Sequence, residues 1–316
     1  MNFQTLVFLG RDDATLRQKT LEIAPQCEIV SRADIQSRPE LVPQIEIAYE
    51  GLGGDNLKRA TSLKWLQNGG AGVNHLPLEE LSKRGVQVTN VRGIHARCIA
   101  EHLFGMLLMH TRQLDDARAQ QERREWKHLG SNILSLYGKT LGILGAGEIG
   151  AQIARVGRAF EMEIIGLRNS GEPTPEIEAM FSPQTKIEFF SKCDVVMNIL
   201  PQTGATRGFM GETEFEALPE GAIVANAGRG ATIDTDALVR ALQSGKIRAA
   251  LLDVTDPEPL PSDHILWTLP NVFITPHYAG NHPEYNAEAD VIWLDNLRLY
   301  LAGQKLHHRV DGAAGY

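Results

Sequence analysis

"KTLGILGAGEIGAQIARVG", Lys139 to Gly157, joins an apolar run to a helical pattern through Gly145-x-Gly147-x-x-Gly150. The surroundings of the glycines matter more than the glycines. A strand before, a helix after and a second apolar run, "MEIIGL" at 162–167, complete a βαβ unit. In such a unit Gly145 makes the tight turn, Gly147 lets backbone approach a pyrophosphate, and Gly150 lets helix pack on strand. The helix start at Glu148, Ile149 and Gly150 offers free N–H groups and the positive end of the helix dipole. This stretch therefore predicts a dinucleotide-binding α/β fold.

The same alternation of short apolar runs and helical patterns extends through the whole chain. "TLVFLG", "CEIV", "IEIAY", "LKWLQ" and "VQVTN" read as strands of one series. "KTLGILG", "EIIGL", "DVVMNIL", "AIVANAG", "AALLDV" and "VFITPH" read as strands of a second. A long helical stretch from Arg97 to about Arg124 leads from one series to the other. The chain's 316 residues exceed what one core usually supports. Two parallel-sheet domains follow, one Rossmann-like and one Rossmann- or flavodoxin-like, with an active-site cleft expected between them. Residues 1–98 with 287–316 are assigned to a substrate domain and 99–286 to the dinucleotide domain. The closing helix, "AEADVIWLDNLRLYLAG", returns to the first.

Charge and cysteine content narrow the partners. A formal net charge of −8 argues against nucleic acid or an anionic membrane as the main partner. Cys27, Cys98 and Cys193 are odd in number and far apart, which fits neither a disulfide framework nor a metal site and suits a reducing cytoplasm. The longest apolar run, "LFGMLLM" at 103–109, is too short to span a bilayer and reads as a buried helix.

The second strand of a dinucleotide unit ordinarily ends in a carboxylate that accepts from the ribose 2′-hydroxyl of NAD. Here the slot holds Arg168, followed by Asn169 and Ser170. A cation there would pair with a 2′-phosphate, so NADP is favoured, with NAD the alternative. Beyond the later strands lie "LPQTGAT" (200–206), "NAGRG" (226–230), "DVTDPEP" (253–259) and "TPHYAG" (275–280). Ligands of an open α/β sheet bind at that edge. Leu200, Pro201, Thr206, Ala227, Gly228, Asp253, His277 and Gly280 are thus candidate cofactor contacts. Arg229, Glu258 and His277 form the set that reduction of a 2-oxo acid needs. The arginine holds the carboxylate and polarises the ketone, the histidine gives a proton as hydride arrives, and the acid supports the protonated histidine.

These segments resemble the D-isomer-specific 2-hydroxyacid dehydrogenase family in one ordered set. "GGAGVNHLPL" is similar to its substrate loop, with Asn74 where an aspartate is usual. "VTNVRGIHARCIAEHLFGMLLM", the glycine turn, "NAGRGATIDTDALVRALQSGKI" and "DVTDPEPLP…LPNVFITPHYAG" resemble its other signatures. The resemblance implies Arg229 as carboxylate anchor, His277 as acid/base and Glu258 as its partner. It places Asp253 near the nicotinamide and gives Ala71 and Gly72 backbone N–H groups for the substrate carboxylate. It further implies a homodimer in which the 97–130 arm, including Trp126, reaches the partner.

By flavour the nearest members are glyoxylate/hydroxypyruvate reductases. Formate dehydrogenases are disfavoured because glutamine stands where this chain has Glu258. A phosphoglycerate enzyme is disfavoured because nothing basic decorates "YEGLGG" (49–54), and because the given sequence ends without a regulatory domain. Other readings are an NAD-linked enzyme for a bulkier substrate, a dinucleotide-sensing corepressor on the same fold, and an S-adenosyl-ligand enzyme. The last would leave the later strand ends unexplained.

Overall fold

The computed structural model describes residues 5–73 and 75–311, so Asn74 lies outside the described residues. The chain forms two compact units, Met1–Ile94 with Pro283–Tyr316 and His95–His282. Each limit falls four residues before the boundary read from the sequence. The shift follows from the helix Ala96–Thr111, whose buried Ile99, Ala100, Leu103, Phe104 and Leu107 all belong to the second unit's core.

In the first unit β1 (Leu6–Leu9), β2 (Glu28–Ser31), β3 (Ile45–Tyr49), β4 (Trp65–Gln67) and β5 (Gln87–Thr89) pair in parallel, in the order β2-β1-β3-β4-β5. That is the flavodoxin-like doubly wound order. Every residue of β1, "LVFL", is buried, as expected for a parallel strand covered on both faces. The helix Tyr285–Leu301 completes this unit. Its Trp293 is fully buried and stacks on Tyr49 and on Trp65, each at 4.9 Å between ring centroids. Its Asn296 donates to Gln67 Oε1 at 3.0 Å, so a buried amide finds a buried acceptor on β4.

The second unit holds β6 (Thr140–Leu144), β7 (Glu163–Leu167), β8 (Ala179–Phe181), β9 (Val195–Asn198), β10 (Ala222–Asn226), β11 (Ile247–Leu252) and β12 (Val272–Ile274). Their parallel order is β12-β11-β10-β9-β6-β7-β8. Strand order therefore reverses between β6 and β9, the crevice where dinucleotides bind in such sheets. The helix Glu148–Ala159 buries Gly150, Ile153, Ala154 and Gly157, one face at helical spacing.

Two features differ from the sequence reading. β8 was not foreseen: it is a three-residue edge strand, incompletely buried and paired only to β7, too short for a periodic signal. The helical stretch after Arg97 is two helices, Ala96–Thr111 and Leu114–Glu122, broken at Gln113 in the left-handed region (φ 53°). The second helix buries none of its residues, and Trp126 beyond it is 97% exposed. No helix of the described residues is long and apolar enough to cross a membrane.

Candidate active site

The glycine turn is shaped by close approach. Gly145 has φ +93°, and a Cβ there would stand 3.1 Å from the Ile199 carbonyl oxygen just beyond β9. A Cβ on Gly150 would meet Gly145 O and Ile143 Cγ2, both at 3.1 Å. Gly147 differs, for a Cβ there would meet nothing within 4 Å. Two glycines thus serve packing, and the third fronts open space. The helix that starts at Glu148 has no side chain capping it, so its first N–H groups face that space unpartnered by a cap. Phosphates fit such a place.

Arg168 is the first residue beyond β7. Its backbone is fixed by Arg168 N–H donating to Phe181 O (3.1 Å) and by its carbonyl accepting from Gly171 N–H (3.1 Å). The side chain is half-buried and forms no ion pair among the described residues. Ser170 Oγ accepts from Glu172 N–H at 3.2 Å, which tightens the turn.

Buried asparagines organise the next two strand ends. Asn198 closes β9, donating to Thr232 Oγ1 (2.7 Å) and accepting from Leu200 N–H (3.1 Å). Asn226 closes β10, accepting from Gly228 N–H (3.0 Å) and donating to Arg229 O (3.2 Å). Sequence reasoning missed both, although two apolar strands ending alike in asparagine was a legible signal. Leu200 and Pro201 follow β9 after Ile199. Thr206 folds its own loop: its hydroxyl donates to Pro201 O (2.6 Å) and accepts from Thr203 N–H (2.8 Å). Gly228 admits no side chain, because a Cβ would lie 2.6 Å from Leu200 O; Gly230 is tighter still, 2.0 Å from the Thr255 backbone. Arg229 is held between them, its Nη1 donating to Gly228 O at 2.7 Å. Burial lowers its pKa from the usual guanidinium value, and the nearby charge of Glu258 opposes that shift.

His277 and Glu258 meet directly, Nδ1 to Oε1 at 2.5 Å. His277 is itself left-handed (φ 52°), an uncommon conformation for a non-glycine residue. Its N–H donates to Asp253 O (2.8 Å) and Thr275 O (3.0 Å). The Asp253 side chain accepts from Thr275 Oγ1 (2.6 Å), Tyr278 N–H (3.1 Å) and Ala279 N–H (3.0 Å). That carboxylate is 2% exposed. Asp253 thereby fastens the loop that carries His277. His102, to which the sequence reading gave no site role, joins this network through Thr275 Oγ1 at 2.9 Å. Gly280 packs on His95, where a Cβ would stand 2.8 Å from the ring. Arg229, Glu258 and His277 therefore converge beyond β10, β11 and β12.

In the first unit the loop after β4 turns its carbonyls inward. Asn68 Nδ2 donates to Gly70 O (2.6 Å) and Gly72 O (3.0 Å), and Asn90 Nδ2 to Ala71 O (2.8 Å). The amides of residues 69–72 donate to no other described residue. Successive uncommitted N–H groups of this kind suit an anion.

Residues 104–279 match the family model "D-isomer specific 2-hydroxyacid dehydrogenase, NAD binding domain". The chain is 33% identical to the glyoxylate reductase of Aeropyrum pernix, over 79% of this chain and 77% of that one. It is 34% identical to the D-3-phosphoglycerate dehydrogenase of Methanocaldococcus jannaschii over 81% of this chain, but only 49% of that relative's length. Among solved structures it resembles an NADPH-dependent glyoxylate/hydroxypyruvate reductase from Sinorhizobium meliloti in complex with NADP and sulfate. The TM-score is 0.83 at 27% identity, covering 99% of this chain and 100% of that one.

Proposed function

The chain belongs to the D-isomer specific 2-hydroxyacid dehydrogenase family, and on that premise we propose an NADPH-dependent reductase of a small 2-oxo acid. Glyoxylate or hydroxypyruvate represents the substrate class, and the 2-hydroxy acid is the product, of D configuration where C2 becomes a stereocentre. The observation that carries this reading is the His277–Glu258 contact at 2.5 Å beside a half-buried arginine, at the carboxyl edge of a dinucleotide-type sheet.

Bound NADPH supplies the hydride. His277 has Nδ1 engaged by Glu258, so Nε2 is the atom left to deliver a proton to the ketone oxygen. Glu258 orients the ring and fixes which nitrogen is free to act. Arg229 holds the carboxylate and draws charge toward the carbonyl oxygen, an interaction strengthened by its partial burial. The uncommitted amides of Ala71 and Gly72 are themselves suited to bind a carboxylate. Arg168 pairs with the 2′-phosphate of the cofactor, a role supported by its position after β7 and its freedom from ion pairs among the described residues.

The test is a panel of 2-oxo acids offered with NADPH and with NADH, followed by nicotinamide absorbance. NADPH should support turnover well above NADH. In Arg168→Asp the NADPH preference should fall by roughly 10- to 100-fold, since a charge-assisted contact contributes about 1.5–3 kcal/mol. An unchanged preference would remove Arg168 from the cofactor site.

A further inference from the structure

Beside the 69–72 loop stands a carboxylate that the proposed chemistry does not use. Glu50 follows β3 in the left-handed region (φ 61°), a conformation a non-glycine residue adopts at a cost. Two glycines make room for it. A Cβ on Gly10 would lie 2.6 Å from Glu50 O, and one on Gly69 would lie 2.6 Å from Glu50 Cγ and 3.1 Å from Oε1. The carboxylate therefore rests against the first residue of the loop whose amides are uncommitted.

Its charge is only partly balanced where it sits, by a long ion pair with Arg11. Arg11 is the nearest cation, but its Nη2 is committed to a close ion pair with Asp290. Arg11 Nη1 stands 3.7 Å from Glu50 Oε1, beyond hydrogen-bonding distance. The Tyr49 hydroxyl gives its proton to Asp290 at 3.1 Å, and the Tyr285 hydroxyl donates to Gly69 O at 2.8 Å. Arg32 reaches Gly51 O at 3.3 Å. Two carboxylates thus share one closely placed guanidinium in a half-buried setting. Burial is the main influence raising the pKa of Glu50, and Asp290 adds to it, while Arg11 and, more weakly, Tyr49 and Arg32 oppose them without cancelling the shift. A hydrogen-bond donor or a cation brought alongside would relieve that imbalance. A second anion would worsen it.

We propose that Glu50 is a specificity-determining residue that accepts a hydrogen bond from the substrate's side chain. The preferred 2-oxo acid then bears a hydroxyl or cationic group beyond the ketone, and not a second carboxylate or a phosphate. This rests on the reductase reading above, because the 69–72 amides must hold the substrate carboxylate for Glu50 to meet its side chain. Such a site rejects an analogue lacking the donor, because a buried acceptor is then left unpaired.

The experiment compares kcat/KM of the wild-type protein for hydroxypyruvate, pyruvate, oxaloacetate, phosphohydroxypyruvate and 2-oxo-5-guanidinopentanoate. Hydroxypyruvate, the guanidino acid or both should exceed pyruvate by about tenfold or more, and both dianions should fall below it. The two donor-bearing acids distinguish a hydroxyl from a cation as the natural group. In Glu50→Gln the ratio of the preferred acid to pyruvate should drop by about tenfold. A wild-type ratio near one, or a Glu50→Gln ratio equal to the wild type's, overturns the role of Glu50 and leaves the reductase reading standing. The wild-type comparison decides the matter even if the variant does not fold. Turnover of none of these acids with either cofactor would instead overturn the reductase reading, and this inference with it.

Discussion

His277 can offer only one ring nitrogen to a substrate, because Glu258 occupies the other. That division of labour makes two substitutions informative. His277→Ala should lower kcat by about 10²–10⁴-fold, the usual contribution of a positioned acid or base. Cofactor affinity, measured by fluorescence of bound reduced nicotinamide, should change little. Turnover within a few-fold of the wild type would refute the proton-donor role. Glu258→Gln keeps the shape and removes the charge, so its loss in kcat should be smaller than that of His277→Ala.

At this scale the sequence was informative about chemistry and poor about orientation. Arg229, Glu258 and His277 were recognisable because an arginine, an acid and a histidine each followed an apolar strand. The direction of Asp253 was not recognisable. A carboxylate after a buried strand carries no local sign of its partners, and here they are the amides of Tyr278 and Ala279, which follow a different strand.

Among the elements, the strand ends of the second sheet are held together by backbone crowding. A Cβ on Gly228 would come within 2.6 Å of Leu200 O and 2.8 Å of Leu200 N. Backbone cannot yield as a flexible side chain can. Gly228→Ala should therefore cost about 1–3 kcal/mol, as overpacking does, and should displace the neighbouring Arg229. Thermal unfolding and the Michaelis constant for the oxo acid should worsen together. An alanine variant as stable as the parent would show that the strand ends move apart freely. The contrast is Gly147, where a Cβ meets nothing. Its alanine variant should retain stability while weakening cofactor affinity.

Most elements were legible because parallel strands buried on both faces are continuous apolar runs, and the helix Glu148–Ala159 has its small and apolar residues at helical spacing. β8 escaped because its pairing partner, not its composition, makes it a strand. The break at Gln113 escaped for a related reason: the residues on either side favour helix, and the left-handed turn is set by where the chain must go next.

For the whole molecule, acid stability depends on His95. Burial, with His282 and Arg229 adding to it, lowers its pKa from 6.5 to about 4. The unfolded chain then binds a proton between about pH 6.5 and pH 4 that the folded protein does not. Stability contributed by the neutral ring is accordingly complete above that window and is lost as pH falls through it. The loss is at most about 3 kcal/mol, from the size of the shift. Urea unfolding of the wild type and of His95→Asn at pH 7, 5.5 and 4 measures it. The wild type should lose more between pH 7 and 4 than the variant does. Equal losses would assign acid sensitivity to other groups.

The sequence by itself determined the two series of strands, the dinucleotide turn and the identity of the residues able to do chemistry. Those properties reside in periodicity, in glycine spacing and in side-chain type, all of which are local. The tertiary structure decided which groups face one another: Glu258 with His277, Asp253 with the amides of Tyr278 and Ala279, Trp293 of the last helix between Tyr49 and Trp65, and Glu50 against Gly69. Each of these pairs joins residues distant in the chain. Contact between them depends on how sheet and helices pack, and no local pattern encodes that.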